Sequence, residues 1–260
     1  MARRACRPQP DPRDLNDLPD RPAPATALRH AGWSEAWGAL LAALAEGPGV
    51  VALLGPPGVG KTMMLGELER RLRQAGPGVH RVDFGDLAGP PAPGVLLVDE
   101  AERIGAPALE ALARQTAGVA VLAALPGFAQ RLQGLAHRRV ILRPVRAGEV
   151  PAYVAARLAQ LGVPSARLAP DGVAALGAAS GGVPRLLNML LGSALFTAGL
   201  DGAARVGAAQ VQAAAAMLTL PKPQRGAPRP APALASPPAS AHPATARPAP
   251  AQARPWLLGG

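Results

Sequence analysis

One eight-residue segment, Gly55-Pro56-Pro57-Gly58-Val59-Gly60-Lys61-Thr62, constrains this chain more than any other feature. It satisfies G-x-x-x-x-G-K-[ST] at every fixed position. Its flanks matter as much as its letters. Residues 50–54 form a continuous apolar run, as a strand buried on both faces requires, and 61–74 read as a helix. A strand, a glycine turn and a helix start, in that order, aim backbone N–H groups inward. The partial positive charge of the helix N-terminus lies behind them. Such a cradle takes phosphate. Lys61 is placed to reach the β- and γ-phosphates of a nucleotide, and the Thr62 hydroxyl to ligate Mg²⁺.

The surrounding pattern extends this unit. Residues 79–84, 95–98, 119–125 and 139–142 read as further strands, and 31–46, 106–115 and 128–135 as helices. Their alternation predicts an α/β fold of the P-loop type, a parallel sheet with helices on both faces. The run Val95-Leu96-Leu97-Val98-Asp99-Glu100 is an apolar strand ending in two carboxylates, at the sheet edge where ligands bind. Asp99 is the candidate Mg²⁺ partner, through water. Glu100 is the candidate that orients or deprotonates an attacking water. Adjacent strand residues point to opposite sides, so the two are expected to take different tasks. The bland alternative is a pair of acidic residues capping the next helix.

After Pro144 the strands stop. Residues 149–161, 171–179, 184–198 and 208–218 read as four helices, a small all-helical unit. The expected organisation is therefore an extended arm at 1–28, an α/β unit at 29–146, a helical lid at 147–220 and an Ala/Pro-rich basic tail at 221–260. The tail holds eleven prolines in forty residues, too little apolar surface to offset its ordering entropy, and is expected to stay disordered. Of the net charge of +10, five positive charges sit in this tail and only +3 on 33–220. The basic balance is thus weak support for a nucleic-acid partner.

The single cysteine, Cys6, excludes a disulfide framework and any multi-cysteine zinc site, and the four histidines are scattered. No apolar run approaches the roughly 20 residues of a membrane span, nor is there a secretory leader, so a cytoplasmic protein is expected. Trp33 and Trp37, one helical turn apart, are expected to pack the first helix onto the core, as are Met63 and Met64. Trp256-Leu257-Leu258 is an apolar cluster that could dock a partner.

Three segments together resemble the AAA+ ATPases, in the branch of general secretion pathway A-type, transposition-helper and origin-recognition-like proteins. They are the GPPGVGKT loop, LLVDEAERI at 96–104, and Ser180-Gly181-Gly182-Val183-Pro184-Arg185-Leu186-Leu187-Asn188, which matches the sensor-2 signature of this branch. The likeness covers roughly 29–218. It implies ATP as ligand, hydrolysis with Mg²⁺, and a nucleotide-driven switch acting on a protein or protein–DNA partner. Arg185 would touch the γ-phosphate and couple it to the lid. Arg138 or Arg139, just before the last core strand, would act on a neighbouring subunit's ATP in a homo-oligomer. A DNA partner is compatible with the branch, although no DNA-reading module is evident. The chain departs from the pattern at the end of the fourth strand. The family usually sets a polar residue at the end of the fourth strand, and here Val121-Leu122-Ala123-Ala124-Leu125-Pro126 is apolar throughout. Slow hydrolysis, or an ATP-gated scaffold, is the corresponding alternative.

Overall fold

The computed structural model describes residues 28–75, 78–82, 94–114 and 118–218. Five strands form one parallel sheet: β1 (Gly49–Leu54), β2 (Val79–Val82), β3 (Val95–Val98), β4 (Val119–Ala124) and β5 (His137–Ile141). Their order is β2-β3-β4-β1-β5. The chain thus leaves β1 in one direction, returns through β3 and β4, and crosses β1 to reach β5. The end of β4 falls between the loop after β1 and the acidic residues after β3, at the switch point of the sheet.

Helices α1 (Ala31–Ala45) and α2 (Lys61–Ala75) cover one face, and α3 (Ala106–Ala113) the other. Val51, Leu53, Leu97, Val121 and Val140 pack with Leu40, Leu44, Leu65 and Leu68 from α1 and α2. Their neighbours Val50, Ala52, Leu54, Leu96 and Leu122 pack with Leu109, Leu112 and Phe128 on the opposite side. Both faces are buried over the three central strands, so β1, β3 and β4 read as continuous apolar runs and the alternation of two disappears there, while the edge strands β2 and β5 carry His80, Arg81, His137, Arg138 and Arg139. Each buried leucine or valine contributes about 1.5–3 kcal/mol to this arrangement. Trp33 and Trp37 stack with ring centroids 5.3 Å apart and join the first core, as expected. Met64 is fully buried there and Met63 packs at its margin.

Helices α4 (Val150–Gln160), α5 (Pro170–Ser180), α6 (Pro184–Leu200) and α7 (Ala208–Met217) build a separate core around Val154, Leu158, Leu176, Leu187, Leu191 and Val211. Prolines at the first or second position open α3, α4, α5 and α6, where the missing N–H costs nothing. Two expectations are corrected. The segment after β4 is a short 3-10 stretch, Pro126–Gln130, rather than a helix over 128–135. Gly127 lies inside this stretch and Gly134 shortly after it, and glycine is too poor a helix former to sustain regular turns there. The last strand begins at His137 and ends at Ile141, earlier than 139–142. Residues 83–84, Gln115, the arm up to residue 27 with Cys6, and the tail with Trp256-Leu257-Leu258 lie outside the described residues. Among the described residues no helix is long and apolar enough to cross a membrane.

Candidate functional site

A cavity of about 510 Å³ opens at the carboxyl ends of β1, β3 and β4 and is closed by α4 and α6. It is lined by Pro57 to Thr62, Asp99 and Glu100 from the sheet side, and Arg185 from α6. The structure therefore gathers most of the residues singled out in the sequence around one space. Gly55 and Pro56 contribute through their backbone. Lys61 Nζ donates to the carbonyls of Gly55 at 2.8 Å and Pro56 at 3.0 Å. Burial holds the Lys61 ammonium below the usual lysine range, and Glu102 and Asp99 partly oppose that shift. Gly58 has φ 76°, and a Cβ there would stand 2.8 Å from the Cβ of Arg185. Only glycine lets the loop turn this way and touch α6.

Asp99 is buried, 7% exposed. Its Oδ1 accepts the Glu100 backbone N–H at 3.1 Å, and its Oδ2 accepts Arg81 at 3.3 Å. Arg81 also donates to Glu69 of α2 at 3.4 Å, so one guanidinium joins β2, β3 and α2. The strand-alternation argument for the two carboxylates does not hold. β3 ends at Val98, and Glu100 takes φ 48°, a left-handed backbone in a non-glycine residue. Such a conformation costs of order 1–3 kcal/mol and concentrates at functional corners. It brings Glu100 to the same cavity as Asp99. The Glu100 side chain is about half exposed and pairs with Arg103 at 3.1 Å.

The Ser180-Gly181-Gly182 turn sets the start of α6. Ser180 Oγ accepts the Gly182 N–H at 3.1 Å, and Gly182 accepts the Val145 N–H at 2.9 Å. The helical unit is thereby tied to the segment that follows β5. Three residues on, the Arg185 N–H donates to the Gly58 carbonyl at 3.2 Å. Asn188 accepts the Tyr153 hydroxyl at 3.4 Å, and burial pushes the Tyr153 phenol up.

Arg138 and Arg139 do not line the cavity. Arg138 donates to the carbonyls of Ala43, Gly47 and Pro48 and so caps the end of α1. Arg139 lies on the exposed edge strand, 3.4 Å from His137 Nε2. Several cavity residues escaped the sequence reading: His30, Arg81, Glu102, Tyr153 and Arg157. Glu102 alone carried a signal, lying three residues after Asp99 in a recognised motif. His30 and Trp33 are buried, and neither His30 ring nitrogen nor Trp33 Nε1 has a hydrogen-bond partner. Burial lowers the His30 pKa, countered by Glu149, so the ring is favoured as neutral imidazole.

No protein-family model matches the sequence, and no curated protein matches it. Solved structures do match. The Thermotoga maritima RuvB Holliday junction branch migration motor is 18% identical with a TM-score of 0.52, covering 74% of this chain and 73% of its own. Aeropyrum pernix ORC1 in complex with DNA is 20% identical with a TM-score of 0.54, covering 74% and 66%. Drosophila ORC bound to DNA is 17% identical with a TM-score of 0.56, covering 85% and 70%. At these identities the likeness is one of fold: the chain has the fold of the AAA+ ATPases represented by RuvB and the origin-recognition proteins.

Proposed function

We propose that the chain binds ATP with Mg²⁺ in this cavity and hydrolyses it, using the nucleotide state to move a helical lid (147–220) against the α/β unit (29–146). One observation carries the reading. The Arg185 N–H donates to the Gly58 carbonyl, so the phosphate loop and the first turn of α6 touch directly. A ligand seated on the loop must act on α6.

The residues present fit the ligand. The backbone of Gly55 to Gly60 cradles phosphate oxygens. Lys61, now spent on two loop carbonyls, exchanges them for the β- and γ-phosphates. Thr62 and Asp99 offer oxygen ligands, the donor type Mg²⁺ prefers, and Arg81 must yield part of its hold on Asp99. Mg²⁺ would neutralise charge on the β- and γ-phosphates. Glu100 accepts the proton of the attacking water. Arg185 contacts the γ-phosphate, so its pull on α6 differs between ATP and ADP. With Arg138 engaged at α1, Arg139 on the open sheet edge is the candidate for action on a neighbouring subunit's ATP.

The matched structures are a branch migration motor and two DNA-bound complexes. A protein–DNA partner is the corresponding extension to this chain. The scaffold reading has its own support, the apolar Leu125 and the Glu100–Arg103 pair that holds the base aside. Titration with ATP and with ADP, followed by phosphate release with and without double-stranded DNA, tests these readings. Tight binding with turnover raised by DNA supports a DNA-linked ATPase. Tight binding with negligible turnover supports the scaffold. Absence of ATP binding refutes both.

A further inference from the structure

The end of β4 lies beside the phosphate loop, where Leu54 pairs with Ala124 and the Gly55 N–H donates to the Ala124 carbonyl at 3.2 Å. On its other side β4 pairs with β3, which leads to Asp99 and Glu100. A group at this point faces the space between the terminal phosphate and the acidic corner. The side chain there, Leu125, has no polar atom. Its backbone N–H, however, donates to Glu102 Oε2 at 3.4 Å, and both residues line the cavity.

Glu102 is held from below as well. Arg131 donates to the Glu102 carbonyl and to the Ile104 carbonyl, which fixes the turn that carries the side chain. Glu100, in contrast, has its carboxylate on Arg103 at 3.1 Å and is about half exposed. Glu102 lines the same cavity as Lys61, which marks its terminal-phosphate end.

We propose that Glu102 supplies the polar group that the β4 end lacks, its carboxylate accepting a hydrogen bond from the attacking water and holding it in line with the γ-phosphate. This rests on the hydrolysis reading above. The water oxygen forms the new bond to the γ-phosphorus, and the bond from that phosphorus to the β–γ bridging oxygen breaks. The electron pair leaves with ADP. One water proton goes to Glu100, and the other remains on the phosphate product. Glu102 takes no proton. Its task is orientation, with Oε2 anchored on Leu125 and Oε1 as the second acceptor. An apolar strand end is thereby compatible with an active site.

The test compares Glu102→Gln, Glu102→Ala and the double variant Glu102→Ala/Leu125→Asn with wild type and Lys61→Ala. Fluorescent ATP analogue binding and steady-state phosphate release are measured, and circular dichroism checks the fold. Glu102→Ala should bind the analogue as wild type does and lose about 10- to 100-fold in kcat, the value of one charge-assisted hydrogen bond. Glu102→Gln keeps an acceptor for the Leu125 N–H and should lose less. Leu125→Asn, added to Glu102→Ala, should restore most of the loss, because it returns a polar group to the same point. A purely structural cap would not be rescued this way. Wild-type turnover in Glu102→Ala beside an inactive Lys61→Ala overturns the inference and leaves the hydrolysis reading intact. So does a loss in Glu102→Ala that the double variant fails to recover. Absence of turnover in wild type overturns both.

Discussion

Gly181 and Gly182 are adjacent, both have positive φ, and they should respond very differently to alanine. Gly181 has φ 57° and ψ 24°, an ordinary left-handed C-cap for α5, and a Cβ there would meet nothing within 4 Å. Its replacement costs about 1–2 kcal/mol of backbone strain, and the stiffer unfolded chain returns about 0.4–1 kcal/mol. The net loss is about 1 kcal/mol. Gly182 has φ 74°, and its Cβ would stand 2.1 Å from the Val145 carbonyl oxygen. That neighbour is backbone and cannot rotate away. Relief requires separating the two chains, which breaks the Val145 N–H bond to Gly182 at 2.9 Å and strains the Ser180 cap. Two hydrogen bonds at about 1 kcal/mol each, added to the strain, bring the loss to about 3 kcal/mol. At about 2–4 °C per kcal/mol for a fold of this size, Gly181→Ala should lower Tm by about 3 °C and Gly182→Ala by about 9 °C. Thermal unfolding followed by circular dichroism reads both. Equal shifts would refute the claim that close approach to Val145, rather than backbone sign, makes the second glycine necessary.

Arg185→Ala should weaken binding of an ATP analogue by about 10- to 100-fold and leave ADP nearly unaffected, since only ATP presents the third phosphate. Equal losses for both, measured by calorimetry, would remove the γ-phosphate role. Arg81→Gln should lower the Mg²⁺ concentration needed for half-maximal nucleotide binding, because the competing cation on Asp99 is gone. A higher requirement would contradict this. Glu67 is buried, and its hydrogen bonds to Arg70 hold its carboxyl below the ordinary value of 4.5. Its stabilisation is therefore full well above pH 4.5 and is lost as pH falls through the lower folded value. The stability gap between wild type and Glu67→Gln should shrink on acidification, and a gap that widens would reverse the sign.

The architecture was legible because its signals are local. The glycine loop needs only its own letters and the apolar run at 50–54. The SGG turn was visible as a pattern, although its reason, the contact with Val145, requires the fold. What escaped the sequence depends on pairings between distant segments. Arg81 reaches Asp99 only because β2 and β3 are neighbours in the sheet. Arg138 looked free for a partner until packing placed the Ala43 carbonyl of α1 and the Gly47 carbonyl just beyond the helix around its guanidinium. Glu100 defeated the alternation rule because the strand stops one residue before Asp99 and the backbone turns left-handed. Glu102 was in plain view in the acidic motif, but its meaning depends on Leu125, brought to it by the order of the strands.

The most direct measurement is steady-state phosphate release from ATP by the full chain and by Lys61→Ala, each with and without Mg²⁺. The account predicts Mg²⁺-dependent turnover in the wild type that disappears in the variant. Turnover that survives Lys61→Ala, or a wild type that neither binds nor hydrolyses ATP, would contradict it.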